Sequence, residues 1–516
     1  MSSVGRPRVL FATAEAFPIA KTGGLGDVCG ALPAMLARLG VDVRLIVPGY
    51  PAALDMVKEA RQLEQFTDPI LAGSRLVAGS MPDSGLPVLL FDSPLLFRRP
   101  GGLYQDAAGE DWSDNDRRFA AFSHAVARIA LGCLPWRPDI VHANDWHTGL
   151  VTAILHQSGV ARPKTIFTVH NLAFQGNFPL EIGHRIGLRD DMISPDGIEF
   201  YGRVSFLKAG LRYSDRITTV SPTYAREILT PEHGCGLEGL LQTRQQDLLG
   251  ILNGVDYDIW CPSKDIELPF HYTPEELGGK KACKTLLQHE LGLSVKDDTP
   301  LVIFVNRLTY QKMADAVIES VPSLIASGAQ LVLHGEGEQE IETKLNELCV
   351  RYPGQLAVHL GYGEALAHRL HAAADLALTP ARFEPCGLTT MYAMRYGAIP
   401  VTRKVGGLAD TVENAWKTDD AQRGGTGFVF DEASAEKLTS SLRRGIDWYR
   451  DNEAWRPLQR RAMRRDFGWE RSARRYLDLY REVLAADVMR DDSSTMPMSG
   501  RDAVVFAGQV DTRCAR

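Results

Sequence analysis

Short apolar, β-branched runs recur along this chain, each followed by a polar loop and a longer amphipathic stretch. That alternation constrains the fold more than any other feature. Arg8–Ala14, Val41–Val47 and Val88–Phe91 are the first such runs. Asp139–Asn144, Thr165–Asn171, Arg216–Ser221 and Leu249–Asp256 complete a first set. An irregular polar stretch, Tyr257–Leu277, reads as a linker. The same grammar then restarts with Thr299–Val305, Gln330–His334, Leu356–Leu360, Asp375–Thr379 and Ile399–Thr402. Strands alternating with helical segments, such as Val28–Leu39 closed by Gly40, or Phe119–Leu131, predict parallel sheets covered by helices. At 516 residues the chain exceeds one common domain. The expected fold class is therefore α/β, with two Rossmann-like domains facing each other across a deep cleft. Residues 1–254 and 255–465 are the expected domains. A helix over 466–486 is expected to pack back on the first domain, and 487–516 reads as a flexible tail. Pro51–Gly85 reads as irregular, Tyr104–Asp116 as an exposed loop, and Trp448–Tyr480 as helical and rich in Arg.

In such sheets ligands bind beyond the carboxyl ends of the strands, so polar residues directly after the apolar runs are the candidates. The richest stretch is Thr379–Thr411. Pro385 has no N–H for a ladder and ends the strand. Cys386, Gly387, Leu388 and Thr389 open a helix that Gly397 closes. Glu384 thus stands just before a helix N-terminus, where free N–H groups attract anionic or hydroxyl-rich ligands. After the first run, Lys21-Thr22-Gly23-Gly24-Leu25-Gly26-Asp27 is a loop whose glycines let backbone N–H groups approach an anion, with a cation beside them. It is not GxxxxGK[ST], because Lys21 precedes the glycines, nor GxGxxG, because Gly30 falls one place late. Both the P-loop and the dinucleotide-oxidoreductase readings fail on that spacing. Glu15, Asp145, His170 and Asn171 follow three different strands and point to one crevice. His142 and His147 bracket Asp145, but no third ligand stands at matching spacing, so no metal is expected.

Composition narrows the partners. A net charge of -7 argues against nucleic acid or an anionic membrane. The eight cysteines are scattered without a CxxC pair, which suits a reducing compartment. The start of the chain has no signal-peptide character, and no apolar run is long enough to span a bilayer. The expected localisation is cytoplasmic.

Read in order, KTGGLGDVCGALP (Lys21–Pro33), NDWHTGL (Asn144–Leu150), TVHNLAFQG (Thr168–Gly176), ITTVSPTYAREI (Ile217–Ile228), LNGVD (Leu252–Asp256), NRLTYQK (Asn306–Lys312), RFEPCGLT (Arg382–Thr389) and VGGLADTV (Val405–Val412) resemble bacterial glycogen synthases and plant starch synthases. These are retaining glucosyltransferases of the GT-B fold. The resemblance implies transfer of glucose from ADP-glucose to the 4-hydroxyl of an α-1,4-glucan, without a cofactor. UDP-glucose as donor and a non-catalytic glycan-binding role are the alternatives. It implies that Lys21, Gly23, Gly24, Arg307 and Lys312 grip the diphosphate. Glu384 and the amides of Cys386, Gly387, Leu388 and Thr389 hold the donor sugar, and Tyr362 lies against the base. His170 contacts the transferring glucose, and Glu15, Asp145, Asn171 and Asn253 are acceptor or sugar contacts. Two departures touch the donor-phosphate loop: Asn306 stands where the family usually has Ser, and Met313 where a glycine commonly follows Gln-Lys.

Overall fold

The apolar runs pair into two separate sheets. The structure, a computed structural model, describes residues 6–417 and 423–494. In chain order the strands are β1 (Arg8–Ala12), β2 (Asp42–Pro48), β3 (Lys58–Gln65), β4 (Arg75–Ser80), β5 (Pro87–Asp92), β6 (Ile140–Asn144) and β7 (Lys164–Val169). A small antiparallel sheet follows, of β8 (Asn177–Pro179), β9 (Glu199–Phe200) and β10 (Arg203–Ser205), and then β11 (Arg216–Thr219) and β12 (Leu248–Gly250). The first large sheet runs β12-β11-β7-β6-β1-β2-β5-β4-β3 and is parallel except where β4 pairs with β5 and β3. The second half supplies β13 (Leu301–Val305), β14 (Gln330–Gly335), β15 (Leu356–Leu360), β16 (Leu376–Thr379) and β17 (Ile399–Arg403). A two-stranded ribbon of β18 (Trp416–Lys417) and β19 (Arg423–Gly424) precedes β20 (Phe428–Phe430). Its sheet is wholly parallel, in the order β15-β14-β13-β16-β17-β20. Strand order reverses beside β1 in one sheet and beside β13 in the other, which is where a doubly wound sheet opens its crevice.

The central strands form because their side chains are buried on both faces, as parallel strands require. Every residue of β6 and β16 is buried, and β1 is exposed only at Arg8. The edge strand β3, Lys58–Gln65, is instead polar and almost wholly exposed. Charges on an open edge discourage pairing with another chain, and they conceal the strand in the sequence. Pro51–Gly85 is accordingly not irregular: it holds a helix at Pro51–Met56, then β3 and β4.

Other expectations need correction. Trp448–Tyr480 is helical as expected but is divided among three helices, Ala435–Arg450, Asn452–Arg464 and Trp469–Ser494. The first break comes at Asp451, whose side chain caps the next helix by accepting from the Ala454 N–H. The final helix runs to Ser494, past residue 487 where a tail was expected to begin; the rest of that tail, 495–516, lies outside the described residues. The stretch read as a linker is anchored rather than loose. Trp260 stacks between Tyr392 at 3.9 Å and His368 at 3.7 Å, and Asp265 is buried against His368 and Tyr396.

One large core fills each sheet-and-helix sandwich, and a smaller cluster that includes Phe167, Val169 and Ile217 completes the first. The first also takes in Trp469, Tyr476, Leu477 and Tyr480 of the final helix. Tyr480 is fully buried there, its hydroxyl 2.7 Å from Nδ1 of His142. The chain therefore crosses between the two bodies twice, and the crossings run side by side. The Val255 N–H donates to the carbonyl of Phe467 at 2.7 Å, and Val255 bridges to Gly468 in parallel.

Candidate active site in the interdomain cleft

On the second sheet, the loop after β16 carries Glu384. Its carbonyl accepts from the Gly407 N–H at 3.0 Å. Gly406 stands at φ 46°, and a Cβ there would meet the Glu384 carbonyl oxygen at 1.8 Å, so only glycine allows the approach. The Glu384 side chain is buried and paired with Lys312, which comes from the loop after β13. Gly387, in the left-handed region at φ 86°, caps the helix Leu388–Arg395. Among the described residues, the N–H groups of Cys386, Gly387, Leu388 and Thr389 make no hydrogen bond. Four such donors at a helix start form an anion-binding cradle. Arg307 is exposed, hydrogen bonds Gln311 at 3.2 Å, and lies 5.7 Å from the ring of Phe174 on the opposite domain.

On the first sheet, Glu15 anchors the glycine loop. Its carboxylate accepts from the Thr22 N–H at 2.7 Å, the Thr22 hydroxyl at 2.7 Å, the Gly23 N–H at 3.3 Å and the Tyr104 hydroxyl at 2.6 Å. Asp145, left-handed at φ 54°, is buried and accepts from the His170 N–H at 2.7 Å. Burial drives its carboxyl up to about 7, against the pull of the His170 and Asn171 N–H groups. His170 is half-buried, and burial lowers its imidazole to about 3, so the ring is neutral. Asn171 accepts from the Ala173 N–H at 3.1 Å. Asn253 is buried beside the Cys386 thiol, and its Oδ1 has no hydrogen-bond partner among the described residues.

The two halves meet. Lys21 on the first domain lies 2.9 Å and 3.1 Å from the carboxylate oxygens of Glu364 on the second, and 2.7 Å from Asp27. Gly24 packs against Leu388, since a Cβ on it would stand 3.2 Å from that side chain. Tyr362 is largely exposed, hydrogen bonds Glu364, and has the Lys21 ammonium 5.8 Å from its ring centre. Burial raises Asp27 to about 6. Burial also opposes charge on Glu364, but His368, Lys21 and Tyr362 outweigh it and hold that carboxyl near 2. The ammonium is thus shared between Asp27 on its own domain and Glu364 on the other. Behind the loops, the Ser221 hydroxyl donates to the Pro385 carbonyl at 2.7 Å, and Thr223 donates to Asp410 at 2.7 and 2.8 Å. Glu227 accepts from the Gly406 N–H at 2.9 Å.

Sequence reasoning passed over Glu364, Asp27, Tyr104 and Asn144. Tyr104 is no exposed loop residue: it stacks on His147 at 4.6 Å while bonding Glu15. His142 and His147, which bracket Asp145, do not converge. His142 is tied to Tyr480 and Thr168, and His147 is buried under aromatic rings.

Residues 8–243 match the family described as the starch synthase catalytic domain, and 292–461 match the glycosyl transferases group 1 family. The chain is 51% identical over 500 residues to a glycogen synthase of Burkholderia thailandensis, covering 94% of each. It is 46% identical to a glycogen synthase of Paramagnetospirillum magneticum, covering 92% of this chain and 97% of that one. The catalytic domain of starch synthase IV from Arabidopsis thaliana, bound to ADP and acarbose, superposes with a TM-score of 0.84 at 33% identity, covering 93% of this chain and all of that one. A sucrose-phosphate synthase from Thermosynechococcus elongatus shares the fold, with a TM-score of 0.59 at 17% identity.

Proposed function

We infer the activity from kinship joined to geometry: the chain belongs to the family of bacterial glycogen synthases and plant starch synthases, glycosyltransferases of the GT-B fold. It is a glucosyltransferase that extends an α-1,4-glucan from a nucleotide-sugar donor with retention at the anomeric carbon. ADP-glucose is the donor we assign, and the reaction belongs in the cytoplasm. The observation that carries the reading is the meeting of Lys21 with Glu364 and Tyr362 across the cleft, beside the Lys312–Glu384 pair.

Transfer passes through an oxocarbenium-like state while negative charge grows on the departing diphosphate. Fixed cations and unpaired N–H groups stabilise such charge most when they are already in place. Lys21, Arg307, Lys312, the Gly24 N–H and the amides of Cys386 to Thr389 suit that task from both sides, while the Gly23 N–H is engaged by Glu15 and shapes the loop. Glu384 accepts hydroxyls of the donor glucose, Tyr362 lies against the base, and His170 contacts the transferring sugar. Asp145, Asn171 and Asn253 line the sugar side, with Asp145 and Glu15 acting through the turns they hold. The acceptor 4-hydroxyl attacks the anomeric carbon from the face the phosphate leaves, so the C–O bond to phosphate breaks as the new one forms. The leaving phosphate takes the hydroxyl proton.

Incorporation of labelled glucose into glycogen from ADP-glucose and from UDP-glucose tests this. Lys21→Ala and Glu384→Ala are each expected to lower turnover by about 10²–10³. Equal rates in the variants and the parent enzyme would overturn the assignment, as would use of UDP-glucose alone for the donor.

A further inference from the structure

We propose that Asn144 is a positioning residue for glucosyl transfer: it holds the His170 imidazole in the tautomer protonated at Nε2, leaving Nδ1 as a bare acceptor for a hydroxyl of the transferring glucose. The proposal rests on the reading above that His170 touches that sugar.

Asn144 ends β6, between the ends of β1 and β7, with Ala143 paired to Ala12 and Asn144 to Thr168. It is buried. One atom of its amide lies 3.0 Å from the Ala12 carbonyl oxygen and 3.5 Å from that of His142. Carbonyl oxygens only accept, so that atom is the NH₂ group, and the other is Oδ1. Oδ1 lies 2.9 Å from Nε2 of His170. An amide oxygen carries no hydrogen, so Nε2 must. The opposite tautomer would set two lone pairs against each other at that distance.

A neutral imidazole carries one ring proton. With it placed on Nε2, Nδ1 holds a lone pair, and it makes no hydrogen bond to any described residue. The His170 backbone N–H is fixed on Asp145, and the Asn144 contact at Nε2 sets how the ring is turned. A bare nitrogen accepts from a sugar hydroxyl and raises electron density on a ring that is becoming an oxocarbenium ion. The other tautomer would donate there and oppose that charge. Asn144 itself acts only through His170.

The test is nitrogen-15 NMR of the full-length enzyme labelled at histidine, with the His170 ring signals assigned by their loss in His170→Gln. The expected spectrum shows a protonated Nε2 and a bare Nδ1, before any ligand is added. In Asn144→Leu that tautomer preference is expected to disappear, with kcat falling about tenfold or more while the donor KM moves much less. Asn144→Asp keeps an acceptor beside Nε2 and is expected to retain the tautomer and more activity than Asn144→Leu. A protonated Nδ1 in the parent enzyme would overturn the proposal, even if Asn144→Leu did not fold. So would an unchanged His170 spectrum in Asn144→Leu. Full activity of His170→Gln would overturn instead the sugar contact on which the positioning role rests, whatever the tautomer.

Discussion

At Met313 the backbone is left-handed, φ 53°, and the side chain is wholly buried in the second core. A non-glycine residue there costs roughly 1–2 kcal/mol, so the departure from glycine noted in the sequence is met at some expense. Burial of a methionine side chain is worth about 2–5 kcal/mol in truncation. Met313→Gly is therefore expected to destabilise the protein, by about 1–3 kcal/mol net, read as a lower urea midpoint. Asp145 offers a pH-dependent check. Its folded carboxyl is raised to about 7 from 3.8, mainly by burial, so the folded state binds the proton more tightly than the unfolded one. Its contribution to stability is present below 3.8 and is lost as pH rises to about 7. The Tm of the parent enzyme relative to Asp145→Asn should fall across that window and level off above it. Glu384, Lys312 and Lys21 were legible because strand ends, prolines and glycines mark them locally. Glu364 was not, because its partner Lys21 lies 343 positions away, and no local pattern signals such a pair. Glu15 was legible as a strand-end carboxylate, but its attachment to Thr22, Gly23 and Tyr104 depends on how the loop folds back.

The final helix, Trp469–Ser494, shows what an element gains from its docking site. Its Tyr476 and Tyr480 fill the first core although the helix follows the second domain in the chain. Removing the Tyr480 hydroxyl as Tyr480→Phe leaves His142 Nδ1 unpaired and is expected to cost about 1–3 kcal/mol. Tyr480→Ala, which empties the site as well, should cost about 3–5 kcal/mol. Denaturant unfolding monitored in the first domain reads both. Most parallel strands of the two sheets were legible because their runs are largely apolar, whereas β3 was hidden by its charges and β20 by its shortness. The break at Asp451 was passed over because Arg-rich helical composition continues across it. A cap is a matter of one side chain, and composition averages it away.

Across the whole molecule, Lys21–Glu364, Thr223–Asp410 and Glu227–Gly406 tie one domain to the other. Donor phosphates would compete with Glu364 for Lys21, and the cleft should then close on the nucleotide instead. Small-angle scattering is expected to give a larger radius of gyration for Glu227→Ala than for the parent enzyme without ligand, and a smaller difference once ADP is added. Unchanged profiles in both states would argue that the contacts do not govern closure.

The paired crossings at Val255 and Gly468 bear on how that closing is steered. A body suspended from a single thread can swivel any way; one carried by two threads laid together, like a lid on two pins, keeps a single axis. Each swing then returns the sugar, the phosphates and the glucan end to the same alignment, without any of them having to search for it.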